Sequence, residues 1–129
     1  MCGIFCILNN CETSERVSYN DETIRQETTN VNCIDENIIQ CSFEKGKGRG
    51  PETSKLLKVA DNLTLGFHRL AINGLDDISN QPIEVEGIYL ICNGEIYNYK
   101  ELYQLMLGFA PKTNSDCEVI IYLYMRYGI

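Results

Sequence analysis

The chain has 129 residues, enough for one compact domain with a moderate core, and its 44% hydrophobic and 22% charged content is ordinary for a globular protein. A formal net charge of -7 and a pI of about 4.6 argue against nucleic acid or an anionic membrane surface as partner. The apolar opening Gly3-Ile4-Phe5-Cys6-Ile7-Leu8 is far shorter than the ~20 residues of a membrane span, and it lacks the basic lead-in and cleavage site of a signal peptide.

In chain order, residues 3–8 predict a short buried strand. Residues 9–55 are rich in Asn, Thr, Glu and Ser and end in Lys45-Gly46-Lys47-Gly48-Arg49-Gly50-Pro51. Ile24, Val31, Ile34, Ile38 and Ile39 keep no firm period, which predicts a loop with at most one poor helix. A loop of that length in a small domain is functional or partly disordered. Leu63-Thr64-Leu65-Gly66-Phe67 alternates as a half-buried strand does. A loop follows through Asn73, Gly74, Asp76, Asp77, Ser79, Asn80 and Pro82, and Ile88-Tyr89-Leu90-Ile91-Cys92 predicts a more buried strand that stops at Asn93-Gly94. Leu102, Leu105, Met106 and Phe109 fall on one helical face, and Cys117, Ile120, Ile121 and Tyr124 repeat the spacing. Ser115, three residues before Glu118, reads as a capping box opening the second helix. This order suits a layered α+β domain.

Seven cysteines are an odd number, and without a secretory signal they argue against a disulfide framework and for a reducing, cytoplasmic setting. No Cys-x-x-Cys occurs and His68 is the single histidine, so no metal site is expected.

Cys2 is the first candidate for chemistry. Loss of Met1 would leave a cysteine with a free α-amine, and such an amine titrates at about 8 and a thiol at about 8.5. The thiolate can then attack a carbonyl while the amine shuttles the proton. A small buried apolar residue on an N-terminal strand is the competing reading. Asn93-Gly94 is a common turn signal, yet a side-chain amide and a glycine N–H at a strand end also suit a developing oxyanion. Arg69, Glu95 and Asp116 could form an amino-acid pocket, the guanidinium taking an α-carboxylate and the carboxylates an α-ammonium. Taken singly, surface charge or a helix cap is the better reading of each, and a carboxylate in the first helical turn favours the dipole anyway. His68 precedes Arg69 on a strand and should face the opposite way, which speaks against a thiol–imidazole site.

These residues lie within longer strings: Met1-Cys2-Gly3-Ile4-Phe5, Arg49-Gly50-Pro51, His68-Arg69-Leu70-Ala71-Ile72, Asn80-Gln81-Pro82, Asn93-Gly94-Glu95-Ile96-Tyr97-Asn98 and Thr113-Asn114-Ser115-Asp116-Cys117-Glu118-Val119-Ile120. In that order they resemble the class II (N-terminal nucleophile) glutamine amidotransferases, the asparagine synthetase branch in particular. The resemblance runs nearly end to end but leaves out residues 10–45. It implies Cys2 as nucleophile, Asn93 and Gly94 as oxyanion hole, and Arg69 as partner of the glutamine α-carboxylate. Glu95 and Asp116 would lie near the α-amino end, while Leu70, Ile72 and Asn73 would line the pocket and Arg49 would be structural.

The implied fold is an α+β, four-layer αββα sandwich with antiparallel sheets. Residues 1–129 would be the N-terminal portion of an amidotransferase domain, stopping inside the last helix with the synthetase domain absent. The implied substrate is L-glutamine, with no cofactor for its hydrolysis. ATP and Mg2+ enter only if a synthetase domain or subunit receives the ammonia. Two other readings stand beside this one: an inactive remnant or interaction module, and a class II amidotransferase with another ammonia acceptor. Glu52 departs from the aspartate usual after Arg-Gly-Pro.

Overall fold

The computed structural model describes residues 2–9, 12–20, 23–31 and 33–128, with only the backbone considered for 12–31. Met1, whose removal the sequence argument requires, lies outside them.

Three antiparallel strands form the main sheet, β1 (Gly3–Leu8), β5 (Leu63–Arg69) and β4 (Thr53–Ala60), with β5 in the centre. Among the described residues β2 (Glu12–Asn20) and β3 (Thr23–Val31) form a separate two-stranded sheet, and β6 (Ile83–Val85) pairs with β7 (Ile88–Leu90). Three helices, α1 (Glu36–Glu44), α2 (Tyr99–Leu105) and α3 (Val119–Tyr127), complete an α+β fold with antiparallel sheets.

Register fixes what each face of the main sheet carries. Gly3 lies opposite His68, Ile4 opposite Phe67 and Phe5 opposite Gly66, so alternate pairs share a face. The Phe5–Gly66–His68 face is covered by α1. Asp35 caps that helix by accepting the Asn37 N–H at 2.7 Å, and Ile39 and Phe43, four residues apart, are its buried residues. The Phe43 ring packs edge-on to Phe5 and stacks on His68 with centroids 4.0 Å apart. A Cβ on Gly66 would stand 2.6 Å from that ring, so the sheet accepts α1 this closely only with glycine there. The opposite face carries Phe67 and Arg69, but leaves Ile4 48% and Leu8 65% exposed.

A second core gathers Ile83, Val85, Met106, Val119, Ile121 and Tyr122 between the β6–β7 hairpin and helices α2 and α3. Burying each large apolar side chain there contributes about 1.5–3 kcal/mol. Glu86 and Gly87, at φ 52° and 78°, make the tight turn of that hairpin.

The structure corrects several expectations. Residues 9–55 are not a loop: they hold β2, β3, α1 and the start of β4. The strand expected at 88–92 is shorter and less buried, because β7 ends at Leu90 and Tyr89 points outward. Leu105 is 70% exposed, since α2 runs from Tyr99 to Leu105 and places Met106 inward just past its end. The last helix opens as a 3-10 turn, Asp116–Glu118, which rotates the buried set to Cys117, Val119, Ile121 and Tyr122 and leaves Tyr124 44% exposed. No capping box forms there, because the Ser115 side chain makes no cap bond and the Glu118 carboxylate turns inward. The helix also stops before the terminus, with Gly128 at φ 74° as its C-cap. Among the described cysteines, Cys33 is disulfide-bonded, and Cys2, Cys6, Cys41, Cys92 and Cys117 are free, which leaves the expectation of no disulfide framework standing.

Candidate functional site

Where β1 begins and β5 ends, the two strands deliver Cys2 and Arg69 side by side. Beyond Arg69 the chain leaves the ladder, and the Leu70 backbone brackets the Cys2 thiol: its N–H donates to Sγ and its carbonyl accepts from it, both at 3.3 Å. The strand end is held from behind by Gly50, whose Cβ, if it had one, would lie 2.2 Å from the His68 carbonyl oxygen. Glu52 follows, its N–H donating to the Arg69 carbonyl at 3.2 Å and its carboxylate accepting the Ala71 N–H at 2.8 Å. Glutamate at this position thus fixes the first residues of the loop.

A cavity of about 450 Å³ opens over Cys2, within the usual range for a small-molecule site. Cys2, Arg69, Leu70, Ile72, Asn73, Asn93, Gly94, Glu95 and Asp116 all line it. Residues up to 114 positions apart in the chain (2 to 116) therefore meet around one space. His68 does not line it: buried on the other face, its ring lies 2.7 Å from Ser54 Oγ and 2.8 Å from the Phe43 carbonyl oxygen. Arg49 and His68 border a second, smaller cavity of about 260 Å³.

Arg69 is 93% buried, being only 7% exposed, and its terminal nitrogens serve the loop that follows it. One donates to the Asp76 carbonyl at 3.0 Å and Asn80 Oδ1 at 2.6 Å; the other donates to the carbonyls of Asn73 and Gly74. A single guanidinium fork thus gathers residues 73–80 around the cavity mouth. Asp76 braces the same loop. It accepts from the Ser79 N–H at 3.0 Å, the Ser79 hydroxyl at 2.5 Å and the Asn114 side-chain amide. The Ser79 and Asn114 bonds hold its carboxyl below the ordinary value of 3.8.

Across the cavity, the Asn93 side chain donates to the Cys2 carbonyl at 3.3 Å. The Asp116 carboxylate accepts the Ile96 N–H at 2.6 Å, and the Cys117 thiol donates to the Gly94 carbonyl at 3.4 Å. Burial, with the Cys92 thiol and the Asp116 carboxylate nearby, pushes the Cys117 thiol up to about 12. At the rim, a hydrogen bond to Glu95 raises the Tyr97 phenol above its usual range. The cavity lining therefore carries one cation, Arg69, two carboxylates, Glu95 and Asp116, three thiols, and the side-chain amides of Asn73, Gln81 and Asn93.

Sequence reasoning gave no role to Gln81, Cys92, Tyr97 or Cys117, which also line the cavity. Gln81, Tyr97 and Cys117 sat inside the quoted strings and Cys92 just before one, but nothing in a string tells which side chain bonds to which backbone. Among the described residues no group of three His, Cys, Asp or Glu side chains is placed to hold a metal, and no helix is long and apolar enough to cross a membrane.

Comparison with known proteins points the same way. Residues 1–129 match the family model described as glutamine amidotransferase domain. The chain is 52% identical over 64 residues to a protein of Methanocaldococcus jannaschii named putative asparagine synthetase [glutamine-hydrolyzing] 1, an overlap that covers 49% of this chain and 12% of that protein. It is 33% identical over 133 residues to a probable asparagine synthetase [glutamine-hydrolyzing] of Dictyostelium discoideum, covering 99% of this chain and 20% of the relative. A Gibberella zeae protein named amidase chry2 is 40% identical over 96 residues, 70% of this chain and 14% of its own length. The chain thus spans a fifth or less of the length of these curated relatives.

Proposed function

The chain belongs to the glutamine amidotransferase domain family, and from that premise we propose that it hydrolyses the side-chain amide of L-glutamine with Cys2 as nucleophile. The observation that carries the reading is the meeting of the Cys2 thiol with Asn93, Gly94, Arg69, Glu95 and Asp116 around one cavity of amino-acid size.

In this mechanism Met1 is removed and the Cys2 α-amine takes the thiol proton. The thiolate adds to the glutamine Cδ, and the carbonyl oxygen becomes an oxyanion that the Asn93 amide and the Gly94 N–H stabilise. The α-ammonium returns its proton to the amide nitrogen, the C–N bond breaks, and ammonia leaves a glutamyl thioester on Sγ. Water, deprotonated by the same amine, splits the thioester to glutamate and the free thiol. The charge of Arg69 draws the substrate α-carboxylate to the loop side while its terminal N–H groups stay on the loop oxygens of residues 73–80, and Glu95 and Asp116 meet the α-ammonium. The backbone at Leu70, Ile72 and Asn73 forms the surrounding wall. The step itself uses no cofactor.

The ammonia acceptor we propose is aspartate, in an asparagine synthetase whose further part uses ATP and Mg2+, because two of the relatives above carry that name. Residues 1–129 are then the amidotransferase portion, acting in the cytoplasm. The amidase name of the third relative supports a second reading, in which the ammonia or the amide goes elsewhere. We also propose that α1 and the main sheet are the first two layers of an αββα sandwich. The apolar Ile4 and Leu8, left open on the face away from α1, suit a second sheet packed there.

The test is mass analysis of the full-length protein after reaction with a glutamine-analogue electrophile. Loss of Met1, a single label on Cys2, and at least about a thousand-fold loss of glutamine hydrolysis in Cys2→Ala are expected. Retained Met1, or label on Cys6 and Cys41 instead, would overturn the mechanism. Asparagine formed from aspartate and ATP with glutamine as donor would decide between the two acceptors.

A further inference from the structure

Asn93 and Gly94 can serve as an oxyanion hole only if their donors are fixed to a fraction of an ångström. Their own chain segment supplies no such frame. β7 ends at Leu90, residues 91–95 belong to no strand or helix, and among the described residues no loop or turn backbone–backbone bond reaches them.

What holds the segment at its start is the side chain of Gln81, which is only 8% exposed. The Cys92 N–H donates to Gln81 Oε1 at 2.5 Å, and Gln81 Nε2 donates to the Cys92 carbonyl at 3.0 Å. One carboxamide thus makes the paired donor and acceptor bonds that a neighbouring strand would make in a ladder. The next residue along is Asn93. Although Gln81 lines the cavity, both of its polar atoms are already committed to Cys92, so its route to the substrate runs through that backbone.

We propose that Gln81 is a positioning residue that sets the Asn93–Gly94 oxyanion hole by clamping the Cys92 peptide; the inference rests on the glutaminase reading above. Gln81 touches no reacting atom in this scheme. It fixes where the Gly94 N–H and the Asn93 amide stand when negative charge develops, so its loss is felt in turnover rather than in binding.

Gln81→Ala in the full-length protein should lower kcat for glutamine hydrolysis about 10- to 100-fold, with KM within about two-fold of wild type. Alkylation of Cys2 by iodoacetamide needs no oxyanion hole and should keep its wild-type rate. Gln81→Glu supplies a second readout. Its ionised carboxylate can accept from the Cys92 N–H but opposes the Cys92 carbonyl, whereas the protonated acid can bond to both. The groups around it are the Cys2, Cys92 and Cys117 thiols, the Glu95 and Asp116 carboxylates, the Tyr97 phenol and the Arg69 guanidinium. Dividing by the wild-type rate at each pH removes their contribution. The kcat ratio of Gln81→Glu to wild type should rise as pH falls through the carboxylic range.

Wild-type kcat in Gln81→Ala, or a raised KM with kcat unchanged, would overturn the assignment. If the alanine variant does not fold, a flat pH ratio in Gln81→Glu overturns it equally. Failure of the wild-type protein to turn over glutamine at all would instead sink the glutaminase reading, and this inference with it.

Discussion

On one side of the cavity, Cys2, Phe67 and Arg69 ride on a sheet whose central strand is bonded to both neighbours along nearly its full length. On the other side, Asn93, Gly94 and Asp116 stand on chain outside any ladder, held by Gln81 on Cys92, Asp116 on Ile96 and Cys117 on Gly94. The sheet sets positions by register, so no single side chain carries its geometry. The far wall is set by individual side chains that bond to backbone, so each of them is a point of failure. A site assembled this way has one wall fixed by register and an opposite wall that can be tuned, or broken, one residue at a time.

The largest effect should come from the deepest staple of that wall. Glu118 is fully buried and accepts from the Lys112 N–H at 2.8 Å, the Thr113 N–H at 2.7 Å, the Thr113 hydroxyl at 2.5 Å and the Tyr122 hydroxyl at 2.9 Å. Glu118→Ala strands these donors and opens a void, which should cost about 3 kcal/mol. In thermal unfolding the midpoint should drop on the order of 10 °C. Glu118→Gln keeps an acceptor and should recover part of the loss. A midpoint within a degree or two of wild type in the alanine variant would mean that the wall does not depend on this side chain.

A smaller loss, with a different kinetic signature, is expected on the sheet side. A methyl group on Gly66 would meet the Phe43 ring at 2.6 Å and Leu56 Cδ1 at 2.9 Å, so Gly66→Ala should destabilise by about 2 kcal/mol through overpacking. The strain falls on the α1 face, whereas Arg69 and Phe67 project from the other. Denaturant midpoints should therefore fall while kcat and KM for glutamine stay within about two-fold. A tenfold change in KM would show that the two faces are coupled and that register alone does not protect the site.

This division also explains what could be read from sequence. β1 announces itself by a short apolar run and β5 by apolar alternation, and the strings around Cys2, Arg69, Asn93 and Asp116 named residues that do line one cavity. The strand Glu12–Asn20 was illegible because Glu-Thr-Ser-Glu-Arg has no apolar face, and α1 because only Ile39 and Phe43 mark its buried side. The β6–β7 hairpin was missed although Glu86-Gly87, sitting between Val85 and Ile88, is the kind of pair a tight turn uses. The staples were the least visible of all. A glutamine before a proline, or a glutamate after a cysteine, carries no sign that it bonds to backbone eleven or six residues away. Glu118 was even read as half of a capping box, because the spacing is the same whether the carboxylate turns to its own helix start or inward to Lys112 and Thr113.

The smallest expected effect concerns the loop between the two walls, and it has a sign that can be worked out. Asp76 accepts from Ser79 and Asn114 and stands beside Arg69, and these contacts lower its carboxyl below 3.8 in the folded protein. A folded value below the unfolded one means that the ionised form favours the closed loop. The contribution is fully present above the unfolded value and is lost as pH falls through the folded one. Following the Asp76 carboxyl carbon by NMR should give a midpoint below 3.8, and exchange protection at the Ser79 and Asn114 amides should decline over the same acid window. Asp76→Asn keeps the shape but turns an NH2 group toward the Asn114 amide or the Ser79 donors. Protection should then be lower at neutral pH and flat in acid, with KM for glutamine raised about two-fold through the loop that Arg69 gathers. The carboxylate is half-exposed and screened, so global stability should barely move. An Asp76 midpoint at or above 3.8 would mean that its hydrogen bonds do not favour the charged form, leaving Arg69 alone to order this loop.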